Sequence, residues 1–365
     1  MAPRPGWRER CEAVGFGWHS IDGVYWDESA AYAFSLAQIE TLERASAELH
    51  AMGLDLVADL VRSGDVARYR LPDGALALIC DSWRRGEPDL FGRFDFSWNG
   101  TGAPRLLEYN ADTPTSLPEA SVAQWFWLQD VMPQADQYNS LHEKLLARWA
   151  ELACGQTVHF LANDSEEDLG NLRYMQDVAQ QAGVRARLLP LPALGHHRGL
   201  GRFVDERNLP VLRCFKLYPW EWLLQDEFGP LIGPAGLRPI EPAWKMLLSS
   251  KALLPLLWER HAGHPNLLAA SFAPDLPLPC VRKPLSSREG QNIAILGAGA
   301  ALETPGPHAG EPTVWQALAP LPVFDGQHTV LGCWMVHDEP AGLGVREDAT
   351  AITRDTSRFV PHYIA

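Results

Sequence analysis

Residues 92–110, GRFDFSWNGTGAPRLLEYN, constrain the fold more than any other stretch: two alternating segments flank an Asn-Gly turn signal, the pattern of an antiparallel hairpin. Side chains alternate along a strand, so Arg93 and Asp95 face one way on the first segment, and Glu108 and Asn110 do so on the second. Any register with an even-length loop gathers these four on one face. Phe94, Phe96, Leu107 and Tyr109 then fall on the opposite face and can bury. Two carboxylates and an amide carbonyl beside an arginine form an all-oxygen site that suits a hard cation such as Mg²⁺. A solvated strand face with cross-strand ion pairs explains the same pattern.

Directly after the hairpin, ADTPTSLPEA (111–120) places Thr115 or Ser116 to cap a helix, with Glu119 in its first turn. Exposed amides there would also seat a carboxylate or phosphate. Farther on, the lysines become informative: the chain has only five (Lys144, Lys216, Lys245, Lys251, Lys283) against 26 arginines. In SSKALLPLLWER (249–260), a cap at Ser249 or Ser250 puts Lys251 in the first helical turn, where the helix dipole disfavours a cation unless an anion binds. In CVRKPLSSREGQNIAIL (280–296), an apolar strand carries Arg282 and Lys283, a polar loop carries Arg288 and Gly290, and an apolar strand returns. A Gly-containing loop closing amides and cations over phosphates accounts for each residue type, with lysine as a point-charge ligand. An ordinary long hairpin loop is the alternative.

With 365 residues, 46% of them hydrophobic, the chain has enough material for one large or two ordinary cores, which excludes disorder. The formal charge of −14 and the lack of a basic block argue against nucleic acid. No stretch approaches the run of apolar residues that a membrane span or signal peptide needs, so a cytoplasmic protein that makes no membrane contact is expected. Six scattered cysteines (Cys11, Cys80, Cys154, Cys214, Cys280, Cys333), with no C-x-x-C pair, read as reduced, buried thiols.

Residues 35–64 read as a long scaffold helix, 157–190 as a βαβ unit and the last 55 residues as β-rich. A helix carrying Trp125 and Trp127 follows the hairpin, and Trp220 and Trp222 read as core residues. There is no Walker P-loop or G-x-S-x-G elbow, and LGAGAAL (296–302) lacks the third glycine of a dinucleotide site.

In order along the chain, R-x-D at 93–95, LEYNADTPTS (107–116), EPAWKMLLSSKALLPLLW (241–258), RKPLSSREGQN (282–292) and GLGVREDATAIT (342–353) resemble the glutathionylspermidine synthase family. The resemblance covers nearly the whole sequence and is closest to the stand-alone bacterial acid–amine ligases, which lack the amidase domain fused to some synthetases. It implies an α+β protein with a permuted ATP-grasp-like catalytic fold and a small α/β subdomain containing the βαβ unit. One catalytic domain would span 1–365, with the small α/β subdomain at 156–200 and the lid and phosphate-binding part at 240–365.

The resemblance also implies the chemistry: ATP as co-substrate, two Mg²⁺ ions, and an amide formed from a small carboxylic acid and an amine through an acyl phosphate. By motif, Asp95, Glu108 and Asn110 correspond to metal ligands, Arg93 to a transition-state arginine and Arg346 to an arginine facing the reacting carboxylate. Lys251 and Lys283 correspond to phosphate lysines, and Ser286 through Gln291 to a glycine-containing lid in which Arg288, Gly290 and Gln291 are the ATP-side positions. Gln316, Ala317, Leu318 and Ala319 correspond to the strand edge that meets adenine, and Thr113, Thr115, Glu166 and Glu167 to substrate contacts. The acidic run Asp164-Ser165-Glu166-Glu167-Asp168 suits a cationic amine, or simply complements a helix N-terminus.

One segment departs from the family: its W-K-T-W-x-W-E-T pattern is FKLYPWEW here, so Leu217 and Trp222 replace substrate-holding threonines. Lost hydroxyl donors would leave polar groups of glutathione unpaired. A different acid–amine pair is therefore expected, the alternatives being glutathionylspermidine synthesis itself or an ATP-binding paralogue without ligation. Nothing in the chain indicates an oligomeric state.

Overall fold

The computed structural model describes residues 1–21, 23–152, 155–161, 165–299 and 302–365. Cys154, Asp164 and the Ala300–Ala301 part of LGAGAAL lie outside the described residues. The architecture is mixed α/β. A six-stranded antiparallel sheet has the order Arg358–Val360, Glu339–Asp348, Gln327–Val336, Phe91–Ser97, Arg105–Asn110, with Val323–Phe324 beside Gln327–Val336. A five-stranded antiparallel sheet has the order Ala270–Ser271, Thr313–Ala317, Cys280–Pro284, Ala294–Leu296, Leu302–Glu303. The third sheet is parallel: Arg185–Leu188, Thr157–Leu161, Arg213–Lys216, Arg238–Ile240.

Local chemistry explains the elements that support the site. Helix Leu36–Ser63 begins at a capping box, in which the Ser35 side chain accepts from the Gln38 amide and the Gln38 side chain accepts from the Ser35 amide. It stops at Gly64, whose φ of 72° suits glycine. Its buried Ile39, Leu42, Leu49, Leu56, Val57 and Leu60 join Phe94, Phe96, Tyr109 and Leu331 of the six-stranded sheet in one core. A second, aromatic core holds Trp26, Trp127, Trp149, Phe160, Phe215 and Trp334. The helix carrying Trp125 and Trp127 runs from Gln124 to Val131, and strand Thr157–Leu161, helix Glu166–Gln181 and strand Arg185–Leu188 make the expected parallel βαβ unit. Cys11, Cys80, Cys214, Cys280 and Cys333 are free and buried, and no described helix is long and apolar enough to cross a membrane.

Several local expectations need correction. The connection that carries the Asn99-Gly100 turn signal is seven residues long, 98–104, not even in length, and a one-residue register shift in the strands restores the shared face. Helix Leu253–Arg260 starts after Lys251, so this lysine precedes the first turn, and its amide donates to the Leu285 carbonyl at 3.1 Å. Ser116 does not cap a helix: its φ is 70° and its hydroxyl meets the Tyr25 hydroxyl at 3.1 Å. Trp220 is core, but Trp222 is 44% exposed.

A buried ion pair fixes the start of strand Phe91–Ser97. The Glu241 carboxylate accepts from the amides of Leu90 and Phe91 at 3.1 and 3.0 Å and pairs with Lys245 at 2.8 Å. Lys245 in turn donates to the Phe91 carbonyl at 2.6 Å. Burial pushes the Glu241 carboxyl up to about 7, against the pull of Lys245. Lys245→Met, which strands that carboxylate, should cost about 3–5 kcal/mol in denaturant unfolding. Breaking the exposed Arg68–Glu259 pair (2.6 Å) with Arg68→Ala should cost under about 1 kcal/mol. Equal losses would show that the buried pair does not secure the strand.

Candidate active site

The site is one face of the six-stranded sheet. Arg93 pairs across the hairpin with Asn110 and Asp95 with Glu108, so all four side chains share a face, as alternation requires. On the reverse face Phe94 stacks on Tyr109 with ring centroids 3.7 Å apart. The register then shifts between Asp95 and Phe96, so that Phe96 pairs with Leu106 and Leu107 is the extra residue. Leu107, expected in the core, instead lines a cavity and turns its carbonyl to the Lys283 ammonium at 2.8 Å. Across the neighbouring strands Gly332 pairs with Asp95, Trp334 with Arg93, and Val330 with Arg346, which brings Arg346 to the same face.

The charges are interlocked. Arg93 donates through Nε and Nη2 to the two Asp95 oxygens (2.7 and 3.0 Å) and through Nη1 to the Thr115 carbonyl (2.7 Å). The Asn110 amide bridges Asp95 and Glu108 at 3.1 and 3.2 Å. Lys251 pairs with Glu108 at 3.2 Å and donates to the Ser287 carbonyl. Lys283 also donates to Gln316 Oε1 at 2.7 Å. Burial alone would raise the Glu108 carboxyl, but Lys251 and Lys283 outweigh it and hold it at about 2. Burial raises the Asp95 carboxyl; Arg93 opposes the rise and the charge of Glu108 adds to it. For Lys283, burial and the repulsion of Lys251 lower the ammonium to about 8 despite the pull of Glu108.

This face opens into two larger cavities. One, of about 720 Å³, lies between the two antiparallel sheets: Asp95, Glu108, Lys251 and Lys283 are at its polar end, and Val281, Ile293, Ile295 and Leu318 are among its apolar walls. Gln316, Ala317 and Ala319 line it as well. The other, of about 830 Å³, is polar and holds Arg93, Asn110, Thr113, Thr115, Asp168, Arg288 and Arg346 together with Leu217 and Trp222. Asp95, Glu108, Gly290 and Thr353 belong to both. At Gly290 (φ 69°) a Cβ would come within 2.4 Å of the Thr353 carbonyl oxygen, so only glycine lets the 286–291 loop sit against residues 352–353. Arg288 reaches across to the Thr113 hydroxyl at 2.7 Å.

Two ATP-side and substrate candidates lie elsewhere. Gln291 lines neither cavity and turns its side chain to Glu289 at 3.3 Å. Glu166 lines a separate depression beside Trp18 and Arg173. Glu167 lines neither cavity, but its carboxyl feels Thr115, a residue of the polar cavity's wall. Sequence reasoning missed Thr353, Trp334 and the buried Asp112–Lys216 pair, although the scarcity of lysine pointed at Lys216. Among the described residues no group of three or more His, Cys, Asp and Glu side chains assembles a metal cage. Asp95, Glu108 and Asn110 nevertheless fit a hard divalent ion: a buried and a half-buried carboxylate that repel each other, with an amide whose oxygen a side-chain flip would turn toward them, leave further positions for phosphate or water oxygens.

Burial and the charge of Glu119 push the Glu167 carboxyl up to about 7, while Arg346 pulls it down. A folded-state value above the ordinary 4.5 means the native state holds this proton more tightly. The resulting stability is full below pH ~4.5 and is lost as pH rises through about 7. Glu167→Gln should therefore flatten the decline in unfolding free energy between pH 5 and pH 8; an unchanged decline would contradict the assignment.

Comparison with known proteins follows this geometry. The family model described as glutathionylspermidine synthase preATP-grasp matches residues 1–365. A Haemophilus influenzae protein named as a candidate acid–amine ligase is 41% identical, over 99% of this chain and 97% of its own length. Trypanothione synthetase of Crithidia fasciculata is 28% identical over 86% of the chain, which spans 53% of that protein. The bifunctional glutathionylspermidine synthetase/amidase of Escherichia coli is 24% identical over 90% of the chain, which spans 58% of it. With the whole chain matched, the protein belongs to the glutathionylspermidine synthase family.

Proposed function

We propose that the protein is an ATP- and Mg²⁺-dependent ligase that forms a carbon–nitrogen bond between a carboxylic acid and an amine by way of an acyl phosphate. The observation that carries this reading is the shared face: Asp95, Glu108, Gly290 and Thr353 stand between a cavity with two lysines and apolar walls and a polar cavity with three arginines. The relatives named as ligases support it. The proposed architecture is a permuted ATP-grasp fold, with 156–200 as the small α/β part and 240–365 supplying lid and phosphate contacts.

In this reading the apolar walls take the adenine against the 316–319 edge, and Lys251 and Lys283 hold the phosphates. Mg²⁺ held by Asp95, Glu108 and Asn110 would neutralise charge on the β- and γ-phosphates; two ions is the number implied by the resemblance. One oxygen of the acid attacks the γ-phosphorus as its bond to the ADP oxygen breaks. The amine then attacks the acyl carbon, the C–N bond forms, the C–O bond to phosphate breaks, and the surplus amine proton leaves with the phosphate. Arg93 and Arg346 stabilise charge on the transferring groups. The 286–291 loop excludes water from the acyl phosphate. Thr113, Thr115 and Glu167 border the acceptor side, with Glu166 farther out. Because Leu217 and Trp222 form part of that wall, the acid is less polar there than glutathione, or the amine is shorter or partly apolar.

The test is competition among mixed acids and amines with MgATP, read by mass spectrometry for a condensed product and by ADP release. A product other than glutathionylspermidine is expected, with ADP release by Asp95→Ala down by about a hundred-fold or more. Wild-type ADP release from Asp95→Ala would overturn the site assignment, and exclusive formation of glutathionylspermidine would overturn the substrate argument.

A further inference from the structure

Between Arg93 and Arg346 the same sheet face dips into a nook of about 310 Å³ that adjoins both larger cavities through Asp95 and Thr353. A pair of glycines makes it. Gly332 and Gly344 face each other across the centres of two ten-residue strands. A Cβ on Gly332 would come within 2.9 Å of Arg93 Cδ, and one on Gly344 within 2.9 Å of the Phe359 ring. Glycine weakens a strand interior and marks a place where a ligand or another chain segment comes close.

The lining carries unspent donors. Trp334 Nε1, Arg346 Nε and the Thr353 hydroxyl are buried without a hydrogen-bond partner, and Trp334 is fully buried. An indole N–H and a guanidinium N–H can only donate, so neither can satisfy the other, and each calls for an acceptor. Arg346 is held in place by its other end: Nη2 donates to the carbonyls of Arg354, Asp355 and Ser357 at 2.7, 2.9 and 3.1 Å. Arg93 adds positive charge, with its guanidinium 5.6 Å from the Trp334 ring centroid. Asp95, the acid on the lining, is already engaged by Arg93 and Asn110.

We infer that this glycine-floored nook is an oxyanion subsite that takes one oxygen of the acid substrate's carboxylate, with Trp334 and Thr353 as donors beside Arg346. This rests on the ligase reading. The oxygen held there is the one that does not attack phosphorus; it becomes the carbonyl oxygen of the acyl phosphate and carries the negative charge when the amine adds.

Two measurements test it, one of them independent of turnover. In ¹⁵N-tryptophan-labelled full-length protein, the indole cross-peak missing from Trp334→Phe identifies Trp334. Sodium acetate should move that peak saturably, sodium chloride at equal ionic strength should not, and Gly332→Ala, which crowds Arg93 at the floor of the nook, should abolish the shift. A peak that ignores acetate, or answers equally to chloride, overturns the subsite and leaves a buried water as its occupant. With the acid and amine that the wild type condenses, Trp334→Phe should lower kcat/KM for the acid roughly 10- to 100-fold with KM for ATP unchanged. Unchanged acid kinetics would overturn the inference while the ligase reading stands. If the wild type condenses no pair, the ligase reading fails and the acetate titration alone decides the subsite.

Discussion

The cross-strand stack of Phe94 on Tyr109 determines which face the charged groups of the hairpin take. Its rings lie 3.7 Å apart and nearly parallel, buried against the long helix, and slipping the pair by one residue would send Arg93 and Asp95 into the core. Because the pair holds, Arg93, Asp95, Glu108 and Asn110 share one face, and the next two strands extend it to Trp334 and Arg346. The bulge after Asp95 is the local exception that completes the arrangement. It turns the Leu107 carbonyl toward Lys283 and joins the hairpin to the second antiparallel sheet.

The charges on this face are mutually dependent. Lys251 and Lys283 are both buried, and each is stabilised by Glu108, which they keep ionised in return. Each lysine also donates to a protein carbonyl, that of Ser287 or Leu107, so neither buried ammonium is left unpaired. A face built this way is already paired before a ligand arrives. Gly290 couples it to the loop above, since the loop packs on Thr353 only where a side chain is absent.

Much of this was legible in the sequence because strand alternation is a short-range rule. The shared face of the hairpin follows from alternation alone, and the scarcity of lysine singled out Lys251 and Lys283. The capping box at Ser35–Gln38 and the βαβ unit likewise follow from local pattern. Long-range partners were hidden. Leu107 leaves the core because of a bulge that no residue type signals, and Ser116 turns its hydroxyl to Tyr25, 91 positions away. Trp222 has the composition of a core residue but stands at the wall of a cavity. The facing of Gly332 and Gly344 depends on a register between two long strands, so two ordinary glycines gave no warning of a nook.

The central claim is that this face passes the γ-phosphoryl group of ATP to an acid before the amine reacts. The direct measurement is oxygen transfer: the condensing acid is labelled with ¹⁸O in its carboxylate, and the products of a MgATP reaction are analysed by mass spectrometry. An acyl phosphate requires that one labelled oxygen leave with inorganic phosphate while the other stays in the amide. Phosphate free of ¹⁸O, with amide formed, would contradict the account.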